Sequence, residues 1–449
     1  MDKFFRLEQN GTTVKREVIG GLTTFLTMAY IIIVNPLILS GTGMDQGALV
    51  TATCITAAFA TILMGITANL PLALASGMGL NASFLIFSQK IGPEGWKVAL
   101  LAVLIEGIIF IILSLLKVRE AVVNAIPNNL KIAVSAGIGL FIAFIGFKGT
   151  GLVVGAPHPT LVTAGKFTQP TVLITLLGIL VIVLLETKKV RGSILWGILV
   201  STVVAWTYAI ISPESAAQYQ IFVPNKIFEF NSVSPIAFKF DWSYLSIEKI
   251  GALFSIVIAF LFVDFFDTVG TLVGVASKAN LVDKEGKVKN AGKALLVDAI
   301  GTTVGAVVGT STVTTFVESS AGVADGARTG LASIVTGILF LFAMFFAPIF
   351  ICVPACATAP ALIVVGFFMI QNIGKIDFTD FTEGVPAFLT ISLMTVIGIG
   401  EGLTYGIMSY GVINVLYNLL QKDSEKKKKV SWVIIILTIL FLAKLIFLH

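Results

Sequence analysis

Apolar runs of about twenty residues follow one another along almost the whole chain, and a run of that length crosses the hydrocarbon core of a bilayer as a single helix. No water reaches backbone N–H and C=O groups inside hydrocarbon. Each crossing must satisfy its own backbone, as a helix does, or have it satisfied by surrounding protein. Of the 449 residues, 56% are hydrophobic and 12% charged, where a soluble domain carries about 25% charge. A soluble domain with one anchor is thereby excluded, and the expected class is an all-α polytopic membrane protein. Met1 to Glu17 are mixed and charged, so no cleavable signal peptide is expected.

Hydropathy places spans at 17–36, 48–69, 71–89, 95–116, 131–148, 171–186 and 192–212. After a polar loop over 213–248 come 249–277, 292–309, 310–324, 328–351, 355–372, 384–400 and 403–420. That is fourteen transmembrane segments in two sets of seven, followed by an extra apolar stretch, Val430 to Leu448. If the N-terminus is cytoplasmic, loops after even-numbered spans should be cytoplasmic and rich in Lys and Arg. They carry Lys117 and Arg119, then "ETKKVR", "SKANLVDKEGKVKN" and "QKDSEKKKK". Because seven is odd, the second set runs upside down relative to the first. That is the inverted-repeat plan of many secondary transporters, with the substrate site at the repeat interface near the midplane.

Segments three and ten are poor full-length helices. "LPLALASGMGLNASF" has Pro71 near its start and Gly77 and Gly79 at its middle. In "GTSTVTTFVESSAGVADG", Thr312 to Val317 favours an extended strand and Ser319 onward a helix. Both are expected to form a short strand plus a half-helix, paired with each other, with the half-helix N-termini near the midplane. Thr315 to Glu318 also fits a capping box, in which Thr caps the helix and Glu reaches back to the cap amide. Glu318 is therefore either a structural cap or a ligand-binding carboxylate at a half-helix N-terminus.

"FLFVDFFDTVGT" places Asp264 and Asp267 on one helical face inside an apolar run. An ionised Asp at the centre of a spanning helix costs about 2.5–3.5 kcal/mol on insertion scales. Two would be costly unless protonated, paired or facing a wet cavity, so a proton is the expected coupling ion. Glu106 and Asp298 are read as structural, pairing with Ser, Thr or backbone between helices. Gly301, Gly305 and Gly309 give a face that permits close helix contact. His158 and His449 are badly placed for a proton relay. Cys352 and Cys356 flank Pro354 without a third ligand nearby, so they read as small packing residues and no metal or cofactor is expected.

"GLTTFLTMAYIIIVNP" (21–36), "ASGMGLNASF" (75–84), "VDFFDTVGTLVG" (263–274) and "STVTTFVESSAGVADGARTGL" (311–331) together resemble the nucleobase:cation symporter-2 family, specifically its guanine/hypoxanthine and adenine permease branch. The resemblance covers nearly the whole chain. It implies a uracil-transporter-like fold with a core domain (17–116 and 249–351) and a gate domain (117–212 and 352–420). Around these lie a cytoplasmic N-terminus (1–16), an extracellular loop (213–248), and a basic linker with an extra apolar helix (421–449). The family's span-eight motif points to Asp267 and Thr271, its span-ten motif to Glu318 and the branch's span-three motif to Asn81. Asp264 is the second acid of the branch's own pattern. Relatives pair as dimers through the gate domain, so a homodimer in the cell membrane is implied.

Guanine and hypoxanthine present N1–H as a donor, and guanine adds its 2-amino group. An ionised carboxylate offers only acceptors and can take two such bonds side by side. Tyr30, Phe265 and Phe316 could stack on the purine face. Glu318, at a positive helix end, is expected to stay charged and hold the base, while Asp264 and Asp267 titrate during the cycle. The function implied is purine nucleobase import by proton symport, with elevator or rocking alternating access. The rival readings are a carrier of uracil, xanthine or an inorganic anion on the same architecture, or a channel. An enzyme has no support, since H-E-x-x-H, G-x-S-x-G and Walker A motifs are absent.

Overall fold

The computed structural model describes residues 2–116, 127–156, 161–278, 281, 288, 290–421, 423 and 427–447. Lys117, Arg119, His158, His449 and most of the 279–289 loop lie outside these residues. The first half contains helices α1 (Val14–Met28), α2 (Ile31–Ser40) and α3 (Gln46–Thr67), then strand β1 (Leu74–Ser76) and α4 (Met78–Ile91). It continues with α5 (Gly95–Leu115), α6 (Asn128–Gly149), α7 (Pro170–Thr187) and α8 (Ser193–Ile211). The second half has α9 (Ile250–Lys278), α10 (Ala291–Val308), strand β2 (Val313–Thr315) and α11 (Ser319–Ala324). Then follow α12 (Gly330–Ala343), α13 (Ala355–Ile370), α14 (Phe381–Ile397), α15 (Ile399–Leu420) and α16 (Trp432–Phe447). Among the described residues, eight helices are long and apolar enough to cross a membrane.

Segments three and ten break as expected. β1 and β2 pair antiparallel, Leu74 opposite Thr315 and Ser76 opposite Val313, so α4 and α11 leave the ribbon from opposite ends. A two-stranded ribbon has two open edges, and at membrane depth nothing outside the protein can satisfy them. Two buried threonines do so, one from each half. On α3, Thr61 Oγ1 donates to the Leu74 carbonyl at 3.0 Å and accepts the Leu74 N–H at 2.9 Å. On α10, Thr302 Oγ1 donates to the Val313 carbonyl at 3.1 Å and accepts the Val313 N–H at 3.2 Å. Leu74 and Val313 are the first residues of their strands, so the two contacts obey the two-fold logic of an inverted repeat.

The hydroxyls flanking β2 are tied to the surrounding helices in the same way. Asn35 Nδ2 donates to Thr310 and to Thr53, Ser76 shares a hydrogen bond with Thr310, and Thr312 donates to Glu106 Oε2 at 2.7 Å. Glu106 thus pairs with a threonine, the structural role read for it. Gly301 and Gly305 lie against Ala60 and Thr56 of α3, the close contact expected of that face. Gly309 instead ends α10 in the left-handed region.

The helices pack in two groups. In the first, α1, α2, α3, α4 and α5 surround the ribbon together with α9, α10, α11 and α12. In the second, α6, α7, α8, α13, α14 and α15 pack among themselves. Each group has a crossing only glycine permits: a Cβ on Gly330 would sit 2.1 Å from the Gly65 carbonyl, and one on Gly366 would sit 2.3 Å from the Gly139 carbonyl. The extra apolar helix α16 lies on α15, and its Phe441 ring meets Phe262 of α9 edge-on. The three cysteines are free.

Thr302→Val keeps the shape of the side chain but removes both bonds to Val313. A loss of about 2–4 kcal/mol is expected from two backbone groups left unsatisfied, read as a lower melting temperature in detergent. Thr302→Ser, which keeps the hydroxyl, should stay close to the parent; equal losses in the two variants would contradict the edge-closing role.

Candidate functional site

Glu318 stands where β2 gives way to α11. The capping box, one of the two readings of Glu318, does not form. Pairing of the ribbon runs through Thr315, opposite Leu74, and on to Phe316, whose N–H donates to the Ala73 carbonyl at 2.9 Å. That extended pairing consumes the residues the cap would need, so α11 starts at Ser319 and Glu318 occupies the cap position without a side-chain cap bond. Its carboxylate accepts instead from the Tyr30 hydroxyl, at 2.6 Å to Oε1. The Glu318 side chain is half-buried and the neighbouring Val317 is 48% exposed, so the acid is not sealed in the core.

Tyr30 lies at the break between α1 and α2, fully buried. Besides offering a ring that could stack on a ligand, Tyr30 uses its hydroxyl to hold Glu318. Thr27, one turn earlier, reaches the Glu318 carbonyl at 3.4 Å. Phe316 and Phe265 are buried in the main hydrophobic cluster.

Asn81 sits in the first turn of α4, whose start at Gly77 is fixed by the Gly77 N–H donating to the Thr312 carbonyl at 3.0 Å. Asn81 is buried, and its Oδ1 accepts from the Ser311 hydroxyl across the ribbon. Among the described residues its Nδ2 has no hydrogen-bond partner. A buried amide donor is costly to leave unpaired, and such a group is a natural contact for an acceptor on a ligand.

The helix carrying the two aspartates, α9, packs on β2, α4 and α11 at once. Asp264 is fully buried there. Thr268 Oγ1 lies 3.1 Å from Asp264 Oδ1 and 2.9 Å from Asp298 Oδ1 on α10. One hydroxyl has one proton to donate, so it is shared between two carboxyl groups. Asp298 therefore pairs with a threonine between helices, as expected, but in company with Asp264. The side chain of Asp267 lies outside the described residues; Thr271 is half-buried on α9. Two cavities, of 280 and 370 Å³, open at opposite ends of the first group, and neither is lined by Glu318, Asp264 or Asn81.

One buried acid has no forewarning in the sequence. Glu17, in the charged stretch ahead of the first apolar run, is fully buried in α1. Its carboxylate accepts from the backbone N–H groups of Arg328, Thr329 and Ala332 at 2.8, 3.3 and 3.2 Å, closing the N-terminus of α12. An acid ahead of an apolar run looks like a solvated end, and no local pattern distinguishes it.

The profile of a family described as Permease family matches residues 15–408. The guanine/hypoxanthine permease PbuG of Bacillus subtilis is 42% identical, the alignment covering 100% of both chains. The adenine permease AdeP of Escherichia coli is 37% identical over 100% of this chain and 96% of its own. Among solved structures, the transmembrane domain of the cyanobacterial bicarbonate transporter BicA shares the fold, with a TM-score of 0.65 at 14% identity over 87% of this chain and 97% of its own. The chain belongs to this Permease family, the nucleobase:cation symporter-2 family that its four motifs resemble, and is a multi-pass membrane transporter, not an enzyme.

Proposed function

We propose that the protein carries purine nucleobases, guanine and hypoxanthine first, into the cell by proton symport across the cell membrane. The observation that carries this reading is the Glu318 carboxylate, held on one oxygen by Tyr30 and only half-buried at the end of the ribbon. Its other oxygen is the acceptor for the N1–H and 2-amino edge of a purine. Asn81 Nδ2, across the ribbon, suits a carbonyl or ring nitrogen. The likeness to the guanine/hypoxanthine permease PbuG and the adenine permease AdeP, each matched over nearly its full length, supports the same substrate class.

In this reading the chain crosses the membrane fourteen times as two inverted sevens, with a cytoplasmic N-terminus. The helix group around the ribbon is the core, the other group the gate, and the core carries the site past the gate, with dimers joined through the gate. Asp264 and Asp267 are the proton-coupling groups, Asp264 through its shared hydroxyl with Asp298. Glu318 holds the base, and Phe316 and Thr271 line its surroundings.

Uptake of radiolabelled guanine into vesicles, with and without an imposed pH gradient, tests the whole scheme. Glu318→Gln should abolish purine binding, while Asp267→Asn should bind purine but lose its dependence on the gradient. Gradient-driven transport by Asp267→Asn at the parent's pH dependence would refute the division of roles. Competition by adenine, uracil and bicarbonate ranks the substrate class. Tyr30→Phe keeps the ring and removes only the donor to Glu318. The apparent KM should rise about tenfold, from roughly 1.5 kcal/mol for one charge-assisted hydrogen bond; an unchanged KM would return Tyr30 to a stacking role.

A further inference from the structure

The two helix groups touch along several helices, and among the described residues one ion pair links them, beside α1 at Thr23. Arg191 lies in the short turn between α7 and α8, both members of the second group. Its guanidinium Nη2 pairs with Oδ1 of Asp325, which follows α11 in the first group. The other carboxylate oxygen of Asp325 accepts from the Thr23 hydroxyl of α1 at 2.5 Å. Gly192, next to Arg191, has φ +68°, and a Cβ there would come 3.4 Å from the Leu26 carbonyl of α1.

The two partners are unequal. The Asp325 side chain is 9% exposed and fixed within its own group by Thr23, whereas that of Arg191 is 61% exposed. Arg328 and Glu17, two charges near this turn, are committed to backbone groups of the first group: Arg328 donates to the Val323 and Ala327 carbonyls, and Glu17 accepts from 328, 329 and 332; the Arg16 stem lies against Gly326. An exposed guanidinium that lets go is hydrated at once, and the acid it leaves keeps its threonine. A contact built this way forms and breaks at small cost, unlike a fully buried pair.

We propose that Arg191 and Asp325 form a latch between the two helix groups, closed in this conformation and opened each time the groups move past one another. The proposal rests on the reading of the protein as an alternating-access carrier, but not on the identity of the substrate. The latch biases the resting equilibrium toward the conformation seen here and leaves the substrate site itself untouched.

Spin labels on Lys15→Cys in the first group and Lys375→Cys in the second, in a Cys352→Ala background, report the separation of the groups by electron-resonance distance measurement. Both label positions are exposed. Arg191→Gln and Asp325→Asn should each raise the fraction of molecules at a second separation about two- to fivefold, the range set by loss of a largely solvent-screened pair. The double variant should shift no further than either single one. Identical distance distributions in parent and variants, or additive shifts in the double variant, would overturn the latch. Guanine uptake measured on the same variants keeps the two readings apart: distance shifts without any purine transport would leave the latch standing and remove the proposed substrate.

Discussion

Everything at the centre of this protein depends on closing the edges of a three-residue ribbon where no water can do it. β1 and β2 satisfy each other along their shared side. At Leu74 and Val313 their outer sides would each leave a buried N–H and C=O without a partner, a penalty of about 1–3 kcal/mol per group. A threonine hydroxyl can donate and accept at once, and the helix in front of each strand supplies one. Thr61 and Thr302 are therefore what allows irregular backbone to exist at this depth.

With the ribbon fixed, its ends fix the site. Gly77 starts α4 and carries Asn81 one turn in; Glu318 precedes α11. The same packing brings α9 against both broken segments, so residues more than 180 positions apart in the chain share one region. The glycine crossings, Gly65 with Gly330 and Gly139 with Gly366, hold each helix group tight within itself. Between the groups, by contrast, a largely exposed arginine reaches a buried acid.

These acids are handled in four distinct ways. Glu17 is spent on backbone donors at the start of α12 and is structural. Glu106 accepts from Thr312 beside the ribbon. Asp264 and Asp298 share one hydroxyl between two helices, and Glu318, half-buried, takes a tyrosine. A carboxylate within a membrane-spanning helix must find a partner or a proton, and the identity of the partner separates scaffold from site.

The sequence by itself determined the membrane class, the broken third and tenth segments, their mutual pairing, and the family. These follow from hydropathy, strand propensity and motif order, all of which are local along the chain. It also singled out Glu318, Asn81, Asp264 and Asp267 as polar groups an apolar helix would not carry without cause. Only the tertiary structure decided that Thr315 is a strand residue and no cap, that Tyr30 holds Glu318 through its hydroxyl, that Glu17 closes α12, and that Arg191 meets Asp325. Each of the last three joins residues more than 130 apart in sequence, and the partner of a hydrogen bond is chosen by packing, which no local pattern records.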